Sequence, residues 1–134
     1  MKKSIILSVF ATFMLLFIFD FGNAQTKKTI VPSAKKSIEI IQFHSEHRCM
    51  TCNKIEELTR ETLKSYSAIP FSLVNVDDKK NEKIATQFEA SGTALFLYNP
   101  TNKKKQDLTE MAFMNAGDKD KFIQELKKKI EAFK

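Results

Sequence analysis

The apolar positions of this chain change period several times, and each change marks an element. Ser4 to Phe19 is almost wholly apolar, broken only by Ser4, Ser8 and Thr12, and Asp20 ends the run. Gln25 to Lys36 is polar and basic and contains Pro32, which reads as a flexible tether. Ile38 to Phe43 is β-branched and apolar, as a strand requires, and His44 to Arg48 forms a polar loop after it. From Cys52 onward, Ile55, Leu58, Thr59, Thr62 and Leu63 recur at helical spacing, predicting a helix that runs to Tyr66. Pro70 precedes a second strand, Phe71 to Val76, expected to be well buried. Asp77-Asp78 ends it, and Asp78 or Asn81 caps a short helix carrying Ile84, Ala85 and Phe88. Gly92 breaks that helix, and Thr93 to Tyr98 is a third strand. Asn99-Pro100-Thr101-Asn102 is a turn signal, with a fourth strand over Lys105 to Thr109. Glu110 to Ala116 shows no clear period. Asp118 begins a last amphipathic helix with Phe122, Ile123, Leu126, Ile130 and Phe133 on one face.

The predicted order is β-α-β-α-β-β-α. Its first β-α-β unit requires a parallel pair joined by a right-handed crossover. The close pair around Asn99-Pro100 predicts an antiparallel hairpin. A mixed central sheet with helices on both faces, an α/β three-layer arrangement, buries these patterns together. Phe71, Phe88, Phe96 and Phe122 are expected in the core. Met111-Ala112-Phe113-Met114 reads as a buried stretch, with an apolar docking patch as the alternative.

The N-terminal run changes the compartment. Lys2 and Lys3 before an apolar segment, with Gly22-Asn23-Ala24 after it, have the layout of a secretory signal peptide cleaved between Ala24 and Gln25. The alternative is an uncleaved anchor, although the apolar stretch falls a little short of the ~20 residues that span a bilayer. Either way the working part is expected outside the cytoplasm, periplasmic or secreted. Residues 37–134 then form one compact domain. Losing Lys2, Lys3 and Asp20 lowers the formal charge by one, from +6 to +5. The lysine clusters at 27–28, 35–36, 103–105 and 127–129 read as solvated surface. No basic groove interleaved with aromatics is present in the pattern, which argues against a nucleic-acid partner. Peripheral attraction to an anionic membrane remains open, and a monomer is expected.

Candidate chemistry centres on Cys49-Met50-Thr51-Cys52, which contains both cysteines of the chain. Placed between a strand and a helix, the pair can close a small disulfide ring at a helix N-terminus. There, unpaired backbone N–H groups favour a thiolate on the first sulfur. Outside the cytoplasm such a pair can rest oxidised. A structural clip is a weak explanation, because so short a loop removes little chain entropy. Cys49 is the expected nucleophile and Cys52 the resolving thiol. Arg48, with His47 near it, would lower the Cys49 pKa, and Thr51 could hydrogen-bond the thiolate.

Over about residues 37–133 the chain resembles the thioredoxin superfamily. The resemblance is carried by Phe43 through Cys49-Met50-Thr51-Cys52, by Val74-Asn75-Val76-Asp77 and by Ala90-Ser91-Gly92-Thr93-Ala94-Leu95-Phe96. More narrowly, Phe43-His44, Arg48-Cys49-Met50-Thr51-Cys52-Asn53-Lys54-Ile55-Glu56 and Ser91-Gly92-Thr93-Ala94-Leu95 look like a small bacterial family. That family is associated with arsenic-resistance operons and labelled ArsF, or nitrophenyl compound nitroreductase subunit. The resemblance implies a thioredoxin-like fold and an accessory electron-transfer or thiol–disulfide role; no G-x-G-x-x-G follows a strand to suggest a flavin or nicotinamide site. The chain departs from ordinary thioredoxins at three places. Trp-Cys-Gly-Pro-Cys is replaced by Arg48-Cys49-Met50-Thr51-Cys52. Ala94 occupies the place of the usual cis-proline, predicting a trans peptide there. Phe43 falls where a buried carboxylate often assists proton transfer, and Glu46, the nearest substitute, is expected in solvent.

These patterns leave three functional readings. In the first, the exported protein passes electrons through Cys49/Cys52 to a protein redox partner or from a membrane electron donor, with no cofactor of its own. In the second, His44, His47, Cys49 and Cys52 supply soft or borderline ligands for Cu or Zn, or the thiolates alone hold arsenite. Covalent haem is disfavoured because Asn53, not histidine, follows Cys52. In the third, the bridge is redox-inert and the domain is an interaction module.

Overall fold

The computed structural model describes residues 38–134. The expected export segment, its cleavage or anchoring, and the tether over 25–36 lie outside the described residues. Among the described residues no helix is long and apolar enough to cross a membrane.

The chain runs β1 (Glu39–His44), α1 (Met50–Leu63), β2 (Phe71–Asn75), a 3-10 turn (Lys79–Asn81), α2 (Glu82–Phe88), β3 (Ala94–Tyr98), β4 (Lys105–Asp107), α3 (Thr109–Asn115) and α4 (Lys119–Phe133). The strands form one sheet in the order β2-β1-β3-β4. β1 pairs in parallel with β2, Phe43 opposite Val74, as the crossover through α1 requires. β1 and β3 are antiparallel with Phe43 opposite Ala94, and β3 and β4 are antiparallel with Leu97 opposite Gln106.

The two-residue alternation of β1 and β3 builds two cores. Ile38, Ile40, Leu95 and Leu97 face α1, α3 and α4, packing with Ile55, Leu58, Phe122, Leu126 and Ile130. Ile41, Phe43, Phe96 and Tyr98 face the other way, onto Phe88 of α2 and Val74. The second core is aromatic: Phe88 lies 5.3 Å from Phe43, 5.1 Å from Phe96 and 5.0 Å from Tyr98, ring centre to ring centre.

Four local outcomes differ from the sequence pattern. α1 begins at Met50, before the apolar periodicity starts, because Cys49 caps it. β2 is an edge strand, so of its residues only Val74 is buried, and Phe71 is half-buried beneath the Arg60 guanidinium at 4.9 Å. The fourth strand stops at Asp107, whose Oδ1 accepts from Thr109 N (2.8 Å), and the unassigned stretch becomes α3. Leu108, Ala112, Asn115 and Ala116 are buried at helical spacing, while Phe113 (42% exposed) and Met114 (76%) point outward. The Met111–Met114 run is therefore core on one side and surface on the other.

Helix α2 also ends earlier than Gly92. Glu89 adopts the left-handed region (φ 57°), with its N–H and that of Ala90 bonded back to Thr86 O and Ala85 O. A non-glycine residue is strained there. Glu89→Gly should stabilise the domain by about 0.5–1 kcal/mol, read as a melting temperature higher by a few degrees. An unchanged or lower value contradicts the strain.

Candidate redox site

The site forms where β1 ends and α1 begins. Val76 N donates to His44 O (2.9 Å), and Glu46 N donates to Asp77 Oδ2 (2.7 Å), tying the intervening loop to the segment after β2. Cys49 then adopts an extended conformation as the N-cap of α1, and its Sγ accepts from Cys52 N at 3.2 Å. The sulfur thus takes the role that a serine or aspartate oxygen usually plays at a helix start. Cys49 and Cys52 are joined as a disulfide, with their Cα atoms 5.2 Å apart.

The two sulfurs have different surroundings. Cys49 is exposed, whereas Cys52 is 5% exposed. Beneath Cys52 lies Gln42, fully buried, whose Nε2 donates to Cys52 O at 3.0 Å while its Oε1 has no partner. Across the sheet, Thr93 Oγ1 lies 3.1 Å from Cys52 Sγ. Neither Gln42 nor Thr93 carries a sequence signal by itself. Thr93 comes beside Cys52 through the pairing of β1 with β3, and Gln42 through the packing of α1 on β1.

The other residues singled out by sequence are placed as follows. The Arg48 guanidinium turns toward α1, where Nη2 meets Glu56 Oε2 at 2.7 Å, and Arg60 Nε donates to Glu56 Oε1 at 2.8 Å. The arginine charge next to Cys49 is thus largely compensated by Glu56. Thr51 is half-buried and makes no side-chain hydrogen bond to either sulfur. His44 is half-buried with Nδ1 2.9 Å from Ser45 O, and His47 and Glu46 are exposed. Among the described residues no three His, Cys, Asp or Glu side chains converge to hold a metal ion. His44 and His47 therefore do not join the cysteines in one ligand cluster. No cis peptide occurs among the described residues, so Thr93–Ala94 is trans.

Burial pushes the Glu56 carboxyl up, but the hydrogen bonds and charges of Arg60 and Arg48 outweigh it and hold it below the ordinary glutamate value. A depressed folded-state value contributes stability that is present above the unfolded value and lost as pH falls through the folded one. The melting-temperature advantage of the native chain over Glu56→Gln should therefore shrink as pH drops below 4.5. An advantage that stays constant through acid contradicts the pairing.

Beside the disulfide, Met50, Thr51 and Lys54 of α1 face Phe113, Ala116 and Gly117 across a shallow groove of about 470 Å³. Met50 is 88% exposed, so an apolar side chain stands free one residue from the reachable sulfur.

No family model matches the chain, and no curated protein matches it. Among solved structures the chain is similar to a thioredoxin of Fasciola hepatica, with TM-score 0.44 and 20% identity, over 55% of this chain and 66% of that one, just under two thirds of its length. It is also similar to thioredoxin f2 of Chlamydomonas reinhardtii, with TM-score 0.47 and 20% identity over 65% and 84% of the two chains. A third similarity is to a malarial protein, with TM-score 0.42 and 18% identity over 59% and 94%. The fold is thioredoxin-like. Its strand order, its parallel β1/β2 pair and its antiparallel hairpin are this chain's own grounds for that statement. In this thioredoxin-like setting, a cysteine pair at the mouth of α1 has one sulfur facing out and one facing in.

Proposed function

We propose that the protein is an exported thiol–disulfide oxidoreductase, or electron-transfer accessory protein, that works through Cys49 and Cys52. The observation that carries this reading is the asymmetry of the disulfide: an exposed sulfur at the helix cap and a buried one a turn inside. Exchange needs one reachable thiolate and a second sulfur to release the partner. In the reduced protein, the Cys49 thiolate attacks one sulfur of a partner disulfide, and the partner's other sulfur leaves as a thiolate. Cys52, deprotonated, then attacks Cys49 Sγ. The intramolecular disulfide forms and the partner's second thiolate departs, so two electrons have passed to the partner. A protein redox partner or a membrane electron donor resupplies them. Met50, Phe113 and Met114 offer that partner apolar contact. An arsenic- or redox-stress system is the setting that the resemblance to the arsenic-operon family suggests for the exchange.

The direct test is insulin-disulfide reduction by the dithiothreitol-supplied protein. The chain should accelerate it, and Cys49→Ser should return it to the uncatalysed background. A native chain no faster than background contradicts the reading. Arsenite or a soft metal on the reduced pair is the alternative, and it would have to rely on the two sulfurs without the histidines. Calorimetric binding of arsenite, Cu⁺ or Zn²⁺ by the reduced protein, together with inactivity toward insulin, would favour it.

A further inference from the structure

We propose that the Thr93 hydroxyl is the group that stabilises Cys52 as a thiolate in the resolving step, in place of an ionisable acid–base residue. The proposal rests on the exchange reading above.

Resolution requires the buried sulfur to carry negative charge while it attacks Cys49. At 5% exposure, Cys52 draws little solvation from water, and burial alone would raise a thiol's pKa. Something in the protein must offset that. Two polar side chains reach this residue: Thr93, with Oγ1 3.1 Å from Sγ, and Gln42, whose amide is bonded to the main-chain oxygen. Neither ionises. Among the described residues no carboxylate or ammonium is hydrogen-bonded to either sulfur. Thr93 is thus the side-chain donor in place at the sulfur.

The strand register accounts for its position. Phe43 stands opposite Ala94, so Thr93 sits just beyond the paired end of β3, beside the turn where β1 leaves for α1. A contact spanning 41 residues of chain is fixed by sheet pairing and needs no side-chain strain. In the disulfide, sulfur is a weak acceptor. Once the bond is broken, the same sulfur in the same place becomes an anion, and the hydroxyl bond becomes charge-assisted. The contact therefore strengthens in the state that resolution needs. Cys52 gives its proton to solvent, attacks Cys49 Sγ, and the partner's thiolate leaves.

Other charged groups surround the site without reaching the sulfur. Along α1, Glu56 is held by Arg48 and Arg60, and Lys54 by Glu57. At the end of β1 the His44 ring is engaged with Ser45 O, and His47 is exposed on the loop. The segment from Ala90 to Thr93 contains nothing ionisable. All of these stay constant across the variants that follow.

The test measures Cys52 ionisation, by thiolate ultraviolet absorbance against pH, in Cys49→Ser, where serine still caps α1. Adding Thr93→Val should move the midpoint up by about one pH unit, the scale of one charge-assisted hydrogen bond. Thr93→Ser should bring it back to within a few tenths. With both cysteines present, Thr93→Val should slow mixed-disulfide resolution about threefold below that midpoint, the tenfold loss of thiolate fraction being offset in part by the greater nucleophilicity of the more basic thiolate. Equal midpoints for Thr93→Val and the threonine-containing protein overturn the proposal, as does a serine variant that fails to restore the midpoint. The ionisation readout needs no partner, so inactivity toward insulin would sink the oxidoreductase reading while this measurement still decides the role of Thr93.

Discussion

Reduced Cys52→Ser should accumulate a covalent adduct with a disulfide-containing substrate such as intact insulin, one substrate sulfur leaving as a thiolate, whereas Cys49→Ser should form none. The difference follows from burial. Cys49 is exposed and caps α1, with its sulfur over the N–H of Cys52 at 3.2 Å, so its thiolate is both reachable and stabilised by the helix start. Cys52 is 5% exposed and has Thr93 Oγ1 against its sulfur, which leaves an incoming disulfide little access to it. With Cys52 absent, the mixed disulfide on Cys49 has no internal sulfur to release it and persists until a reductant is added. Serine at either position keeps the side chain small, and at position 49 it keeps a capping oxygen. The result therefore reports on sulfur rather than on the helix. Non-reducing electrophoresis with and without dithiothreitol reads it directly. Equal trapping by the two variants would contradict the assigned roles.

Phe88→Ala should lose a large part of the domain's stability, about 3–5 kcal/mol. The second core is small, built from Ile41, Phe43, Val74, Phe88, Phe96 and Tyr98, and Phe88 is the side chain that α2 places within 5.3 Å of three other rings. Helix α2 is only seven residues long, so its surroundings have little else with which to fill the space. A domain of this size holds about 5–15 kcal/mol in total, so the loss is a large fraction of it. The melting temperature should fall by roughly 12 °C or more. Met114→Ala, at an outward position of α3, should stay within about 0.5 kcal/mol. Urea unfolding compares the two, and a Phe88→Ala effect no larger than that of Met114→Ala contradicts the packing account.

How far this architecture is legible in the sequence depends on whether a single period carries the information. β1 and β3 are short, mostly apolar runs and α1 and α4 each keep one helical period, and the disulfide's place between β1 and α1 follows from their order. α3 was obscured because Met111, Ala112, Phe113 and Met114 put apolar residues on every side of one turn. The burial of β2 depends on its being at the sheet edge, and Phe71-Ser72-Leu73-Val74 gives no sign of that. The end of α2 at Glu89 rather than Gly92 uses a left-handed glutamate that no propensity favours. In the site, the cysteine pair and its capping geometry are local and could be read. Thr93 reaches Cys52 through strand pairing and Gln42 through the packing of α1 on β1, and Arg48 spends its charge on Glu56 of α1 instead of on Cys49. Those are contacts between elements, which composition and spacing do not encode.

The central claim is that the reduced pair offers one reactive sulfur at the surface. Brief alkylation of the dithiol protein at neutral pH, followed by peptide mass spectrometry, tests it most directly. Cys49 should label first and by at least about tenfold over Cys52, as its helix-cap position and exposure require. Labelling of Cys52 at an equal or greater rate, or no labelling of Cys49 at all, would contradict it.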